Sequence, residues 1–144
     1  MPRYFTLREA RAALPAVGRD IREAVLAKTR YQQAESALHD LGQRILMRGG
    51  VMVDTVKAEA WKKQRESGAQ TLKTTLGRIE NLGVVVKDLD VGLIDFPTLY
   101  KGHEVYLCWR MDEADIDFWH GTDEGFAGRK LIDSEFLSHH SGDQ

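Results

Sequence analysis

The chain has 144 residues, 42% of them hydrophobic and 29% charged. That length suits one domain with a real core and is too short for two independent enzyme domains, and no apolar run approaches the roughly 20 residues of a membrane helix. The net charge of -2 hides a division: residues 1–82 carry 15 Lys+Arg against 9 Asp+Glu, a balance of +6, and residues 83–144 carry 5 against 13, a balance of -8. Such halves can neutralise each other within the fold, steer head-to-tail contact between copies, or offer the basic half to a polyanion. Met1-Pro2-Arg3-Tyr4 lacks the apolar segment of a secretory signal, and the single Cys108 has no internal disulfide partner, so a cytoplasmic protein is expected.

Taken in order, Thr6-Leu7-Arg8-Glu9 has the form of a capping box, with Phe5 placed to pack forward on Ala10 as a hydrophobic staple. Pro15 has no amide to donate and crowds the turn before it. A short first helix is therefore predicted, with a kink at Leu14-Pro15 and Pro15 in the first turn of the helix that follows. Over residues 15–48, Val17, Ile21, Ala24, Val25, Tyr31, Ala34, Leu38, Leu41 and Ile45 recur in steps of three and four, which marks one apolar face. Arg44 and Arg48 suit the negative end of that helix, and Gly49-Gly50 supplies a left-handed closing residue. At about 1.5 Å per residue the helix is on the order of 50 Å long, more than a small core covers, so part of it pairs or projects. Its partner is the run after Asp54, a good N-cap, where Val56, Trp61, Ala69, Leu72, Leu76, Ile79 and Leu82 keep helical spacing up to Gly83. The two form an antiparallel hairpin with a coiled-coil-like seam. Lys28, Glu35, Gly42 and Ser67-Gly68 interrupt that seam, leaving an apolar stripe for a second copy to cover.

Beyond Gly83 the period changes to two. Strands are predicted at residues 84–88, 93–98, 105–111 and 116–119, with turns at Asp90-Val91-Gly92, Lys101-Gly102 and Asp112-Glu113-Ala114. The fold class expected is α+β, a long antiparallel helical hairpin followed by a small antiparallel β-meander packed on it. It forms a single domain with a helical part over 4–82, a β part over 83–131 and a polar tail over 132–144. Val105, Leu107 and Trp109 alternate with Tyr106, Cys108 and Arg110, so the first set faces the helices, together with Ile94 and Phe96. The second set, with Asp95 and with Asp117 and Trp119 assigned beside it, forms a far face too aromatic for plain solvent surface.

Four stretches stand out: Gly92-Leu93-Ile94-Asp95-Phe96-Pro97, Val105-Tyr106-Leu107-Cys108-Trp109-Arg110, Phe118-Trp119-His120 and Gly125-Phe126-Ala127-Gly128-Arg129. Together with Phe5-Thr6-Leu7 and Leu14-Pro15, they resemble the bacterial family catalogued as domain of unknown function 2203, over roughly residues 4–131. The resemblance implies an uncharacterised bacterial protein and assigns no catalytic or ligand residue.

The candidate chemistry lies in the β half. Asp95 and Arg110 are placed either to form a bidentate ion pair or to leave Arg110 free. A free Arg110 would hold a small anionic ligand over Tyr106 and Trp119, with Arg129 as a further cation. His120 and Asp123, with Asp117 or Cys108 near, offer ligand types for zinc or another divalent metal, although no CxxC or HxxxH pairing supports them. The plain alternative is a His120 that donates to a backbone carbonyl or to Asp123. Gly121, Gly125 and Gly128 before Arg129 have the residue types of an anion-cradling loop without its strand-to-helix setting. Cys108 reads as a buried inert thiol, the acidic run from Asp112 to Asp117 as a solvated turn, and His139 and His140 as part of a disordered tail. Lys57, Lys62, Lys63, Arg65, Lys73 and Arg78 are interleaved with Glu59, Glu66 and Glu80, which argues against a nucleic-acid stripe.

The function expected first is a non-enzymatic, self-associating interaction module, whose copies meet through the exposed hairpin stripe or through the aromatic far face of the sheet. The alternative is a small-ligand or divalent-metal-binding protein, enzymatic or not. It would use Asp95, Tyr106, Arg110, Trp119 and Arg129 as ligand contacts and His120 and Asp123 as metal ligands. The sequence specifies no cofactor.

Overall fold

The computed structural model describes residues 3–47 and 55–141. The elements in order are α1 (Leu7–Met47), α2 (Thr55–Asn81), β1 (Val85–Asp88), β2 (Leu93–Tyr100), β3 (His103–Arg110), β4 (Phe118–Gly121), a 3-10 turn (Phe126–Gly128), β5 (Lys130–Leu131), α3 (Ser134–His139) and β6 (His140–Ser141). The class is the expected one: α1 and α2 form a long antiparallel hairpin, and an antiparallel meander follows. Arg48, Gly49, Gly50 and Asp54, to which the helix ends were assigned, lie outside the described residues. No helix among the described residues is long and apolar enough to cross a membrane.

The chain divides into two compact units, one of Met1–Arg22 with Leu76–Gln144 and one of Glu23–Thr75. In the first, α1 opens with the reciprocal capping box: the Thr6 amide donates to Glu9 Oε1 at 2.9 Å and the Glu9 amide to Thr6 Oγ1 at 3.1 Å. The kink expected at Pro15 does not interrupt the helix. α1 runs through Pro15 because the residues around it, Leu14 and Val17, are fixed in the core, and that packing outweighs the roughly 3 kcal/mol a proline costs a helix interior. Leu7, Ala10, Leu14, Val17 and Ile21 form one buried stripe. They share a single core with Ile79 of α2, Ile94 and Phe96 of β2, Val105, Leu107 and Trp109 of β3, and Phe136 of α3. Phe5 meets Phe96 edge to face at 5.3 Å, and its amide donates to the Pro97 carbonyl at 2.7 Å.

The sheet order is β1-β2-β3-β4-β5, with β6 also pairing β2. Lys101 and Gly102 both have positive φ, 52° and 79°, the conformation of the two-residue hairpin turn that matches strand twist. That turn sets Tyr100 against His103 and, counting back, Asp95 against Cys108 and Leu93 against Arg110. The segment expected to be a disordered tail is ordered over its described residues, up to Ser141. Asp133 caps α3 by accepting from the Phe136 amide at 2.9 Å, and Phe136 stacks on Tyr100 at 5.1 Å. His140 Nε2 accepts from the Leu7 amide at 3.2 Å. One large apolar residue on a single helical turn suffices to dock it, at about 1.5–3 kcal/mol for its burial.

In the second unit the helices approach closely through small residues, Ala24, Ala27, Ala34 and Gly68. A Cβ on Gly68 would lie 3.0 Å from the Ala27 carbonyl oxygen and 3.2 Å from the Tyr31 amide nitrogen, both backbone atoms that cannot rotate aside. Gln64 donates to the Arg30 carbonyl at 3.0 Å, and Arg65 pairs with Glu35 at 2.9 Å. Gly68→Ala is therefore expected to destabilise by roughly 1–3 kcal/mol through overpacking. Gly42→Ala, with no atom within 4 Å of the new Cβ, should stabilise by about 0.5–1 kcal/mol. Thermal unfolding midpoints of the two variants should move in opposite directions.

Candidate functional site

The register of β2, β3 and β4 decides which side chains share a face, because directly paired residues point the same way. Asp95 pairs with Cys108, Cys108 with Phe118, and Tyr106 with His120. The face turned away from α1 thus carries Asp95, Tyr106, Cys108, Arg110, Phe118 and His120. Trp119 pairs with Leu107 and joins the opposite face, where it packs on Tyr100 at 5.0 Å and Phe136 at 4.9 Å. Its assignment to the far face is corrected here: the large indole takes the side on which α3 can bury it. Asp117 also leaves the far face, with its carboxylate 3.7 Å from Arg11 of α1.

The expected Asp95–Arg110 ion pair does not form. Arg110 instead binds Asp112, two residues along its own chain, which holds the Asp112 carboxyl below its usual range, and its guanidinium lies 4.9 Å from the Phe126 ring. Arg129 stacks on Phe118 at 4.0 Å and on Phe126 at 4.1 Å, and donates to Glu113 Oε1 at 2.9 Å. Glu113 also accepts from the Arg110 amide at 2.8 Å, and its carbonyl accepts from Trp109 Nε1 at 3.0 Å. Two arginines and two phenylalanines thus build a layered cover on the outer face. In the glycine loop the Gly121 amide donates to Glu124 Oε1 and the Gly128 amide to the Gly125 carbonyl, and neither glycine has positive φ, so these two amides are engaged within the chain.

Beside this cover lie Asp95, Cys108 and His120, exposed by 0%, 1% and 4%, with their ligand-type atoms all within 4.8 Å of one another. His120 Nε2 is 3.0 Å from Asp95 Oδ2, and Nδ1 is 2.8 Å from the Gly121 carbonyl oxygen. Asp95 Oδ1 is buried with no hydrogen-bond partner among the described residues, and the Cys108 sulfur lies within 4.8 Å of the Asp95 carboxylate. The Tyr106 ring stands 5.4 Å from the His120 ring, and its hydroxyl donates to Glu104 at 3.0 Å. Asp123 is exposed and is not part of the trio, so of the two metal ligands expected, only His120 meets other ligand types. Asp95 and Cys108 complete the set. Reading the parity of neighbouring strands through their register would have shown this, since two residues paired across β2 and β3 and one a step along on β4 face one way.

Burial raises the Asp95 carboxyl above its usual range, against the lowering effect of His120. Burial, then the Asp95 charge, pushes the Cys108 thiol up to about 12. A thiol so placed is protonated near neutral pH, and His120 contacts Asp95 rather than the sulfur, so the trio is not a thiol–imidazole nucleophile.

The fold is thus an α+β protein with a helical hairpin and an outer sheet face that buries a mixed S, N, O donor set. The chain belongs to the family described as uncharacterized conserved protein (DUF2203), whose model matches residues 3–132. No curated protein and no solved structure matches it.

A carboxyl whose folded value is raised contributes stability that is intact below its ordinary value near 3.8 and is lost as pH rises through the folded one. Asp95→Asn keeps the shape and removes the buried charge, and its amide can donate to His120 Nε2. In chelator-containing buffer its stability relative to the unmodified chain is expected to increase from pH 3.5 to pH 7 in urea unfolding. A pH-independent difference would contradict the burial argument.

Proposed function

We propose that this protein is a non-enzymatic interaction module that pairs with a second copy of itself through the hairpin of Glu23–Thr75. The observation that carries this reading is the lack of large buried side chains among the described residues of that unit. Its buried hydrophobics among the described residues are Ala24, Ala27 and Ala34, while Leu38, Leu41, Trp61 and Leu72 are only half-buried and Leu26 is 57% exposed. Helices draw most of their stability from packing an apolar face, and each large side chain fully covered is worth about 1.5–3 kcal/mol. A two-helix unit with an alanine seam leaves most of that unrealised until another pair of helices covers it. Leu46, Met47 and Val56, 79%, 83% and 78% exposed, extend the apolar surface toward the end of the hairpin.

A second copy fits better than an unrelated partner because the exposed groove is charge-complementary to itself. It is lined by Ala37, Leu41, Ala60 and Trp61 and bordered by Asp40, Arg44 and Lys57, so a two-fold axis sets the acid of one chain against the bases of the other. The basic residues outside the groove are interleaved with acids, as in Lys62–Glu59 at 3.6 Å and Arg65–Glu35 at 2.9 Å, which disfavours a phosphate backbone as the occupant.

Sedimentation velocity across a concentration series should show a dimer that dissociates on dilution. Trp61→Glu should weaken it at least about 30-fold, the effect of losing a buried aromatic anchor worth about 2 kcal/mol. A unmodified chain that stays monomeric at several hundred micromolar would end this reading.

A further inference from the structure

The outer face of the sheet holds a feature that hairpin pairing does not use. Asp95, Cys108 and His120 stand on three adjacent central strands, β2, β3 and β4, and present one carboxylate, one sulfur and one imidazole within 4.8 Å of one another. Regular strand backbone positions all three, which is the setting in which a ligand set keeps its geometry.

His120 gives the first sign of what the cluster holds. The Gly121 carbonyl oxygen, 2.8 Å from Nδ1, can only accept, so Nδ1 carries the ring proton. In the neutral ring Nε2 is then a bare lone pair, and it faces Asp95 Oδ2 at 3.0 Å, itself an acceptor when ionised. Two lone pairs at that distance, away from water, repel unless a positive centre lies with them. Asp95 Oδ1 gives the second sign, because it is fully buried and has no partner among the described residues. A proton shared between Asp95 and His120 answers the first conflict and leaves the second. A divalent cation answers both, and takes Cys108 as well, since a coordinated thiol loses its proton.

We infer that Asp95, Cys108 and His120 are the protein ligands of a divalent transition metal, zinc being the ion this donor set suits. Magnesium and calcium prefer oxygen throughout, whereas zinc takes thiolate, imidazole and carboxylate together. A histidine whose Nδ1–H is fixed on a backbone carbonyl while Nε2 points inward is the usual outer arrangement of a metal-bound imidazole. Bonds of about 2.0–2.3 Å place tetrahedral ligands roughly 3.3–3.8 Å apart, so the Nε2–Oδ2 pair at 3.0 Å opens slightly and the wider separations, up to 4.8 Å, close by on the order of 1 Å when the ion enters. Three protein ligands leave one coordination position for water or a small molecule. The layered cover of Arg129, Phe118 and Phe126 lies beside Cys108, whose cross-strand partner Phe118 carries the Arg129 guanidinium at 4.0 Å.

The test uses the full chain, stripped with chelator and shown by circular dichroism to be folded, then titrated with Zn²⁺ alone by calorimetry and with Co²⁺ alone by visible absorption. One zinc per chain is expected, and the cobalt form should show a thiolate-to-metal charge-transfer band. Asp95→Asn, which folds without metal because its amide can satisfy Nε2, should bind zinc at least about tenfold more weakly. Cys108→Ala, which keeps an apolar group at the site, should lose the charge-transfer band. Failure of the folded unmodified chain to take up zinc would overturn the inference. So would a cobalt spectrum without the thiolate band, or zinc affinity unchanged in Asp95→Asn.

Discussion

The register of β2 against β3 governs the rest of the first unit. It is set at one end by the Lys101-Gly102 turn, where two successive positive φ angles leave no length to spare, and it is read out along eight paired residues down to Leu93 and Arg110. A shift of β3 by one residue against β2 would turn Leu107 and Trp109 outward and bring Tyr106 and Cys108 against the apolar stripe of α1. The hydrophobic core and the buried polar trio are therefore two consequences of one alignment, on opposite sides of the same strands.

The two faces are stabilised by different means. Toward α1 the sheet buries mostly large apolar side chains, with Trp109 Nε1 donating to the Glu113 carbonyl and Thr98 Oγ1 to the Ser141 carbonyl. On the other side the chain excludes water from a carboxylate, a thiol and an imidazole with a cover of aromatic rings and guanidinium groups, whose charges are returned to Glu113 and Asp112. An apolar core of this size did not require that second arrangement. Burying a carboxylate with a vacant oxygen is costly, and folds retain such costs where a ligand or a chemical task offsets them.

The architecture was legible in the sequence where a single local rule decides. The capping box at Thr6 and Glu9, the apolar face that begins at Val17 and Ile21, the change of period after Gly83 and the alternation through β3 all describe short-range chemistry. Pro15 misled because its local cost is real and only the distant packing of Leu14 and Val17 overrides it. α3 escaped notice because six residues with one phenylalanine look like a tail until Tyr100 and Trp119 are seen to receive that ring. The site was half legible: alternation placed Asp95 and Cys108 on one face. Whether Trp119 or His120 joins them depends on the β3–β4 register, for which no turn residue gave a signal. Asp123 was chosen for its nearness to His120 in sequence, and such nearness does not carry across a strand end.

Asp20 and Arg78 meet at 3.6 Å within the first unit, one just before the chain departs into residues 23–75 and the other just after it returns. To the sheet and its core, those fifty-odd residues are a closed excursion with fixed ends. Its length is then set by its own helices, since only its two ends are fixed in the first unit. Whole helical turns added or removed in matched pairs would leave the sheet's alignment as it is. The reach of the hairpin can thus be adjusted to whatever it must span while the outer face of the sheet keeps its geometry.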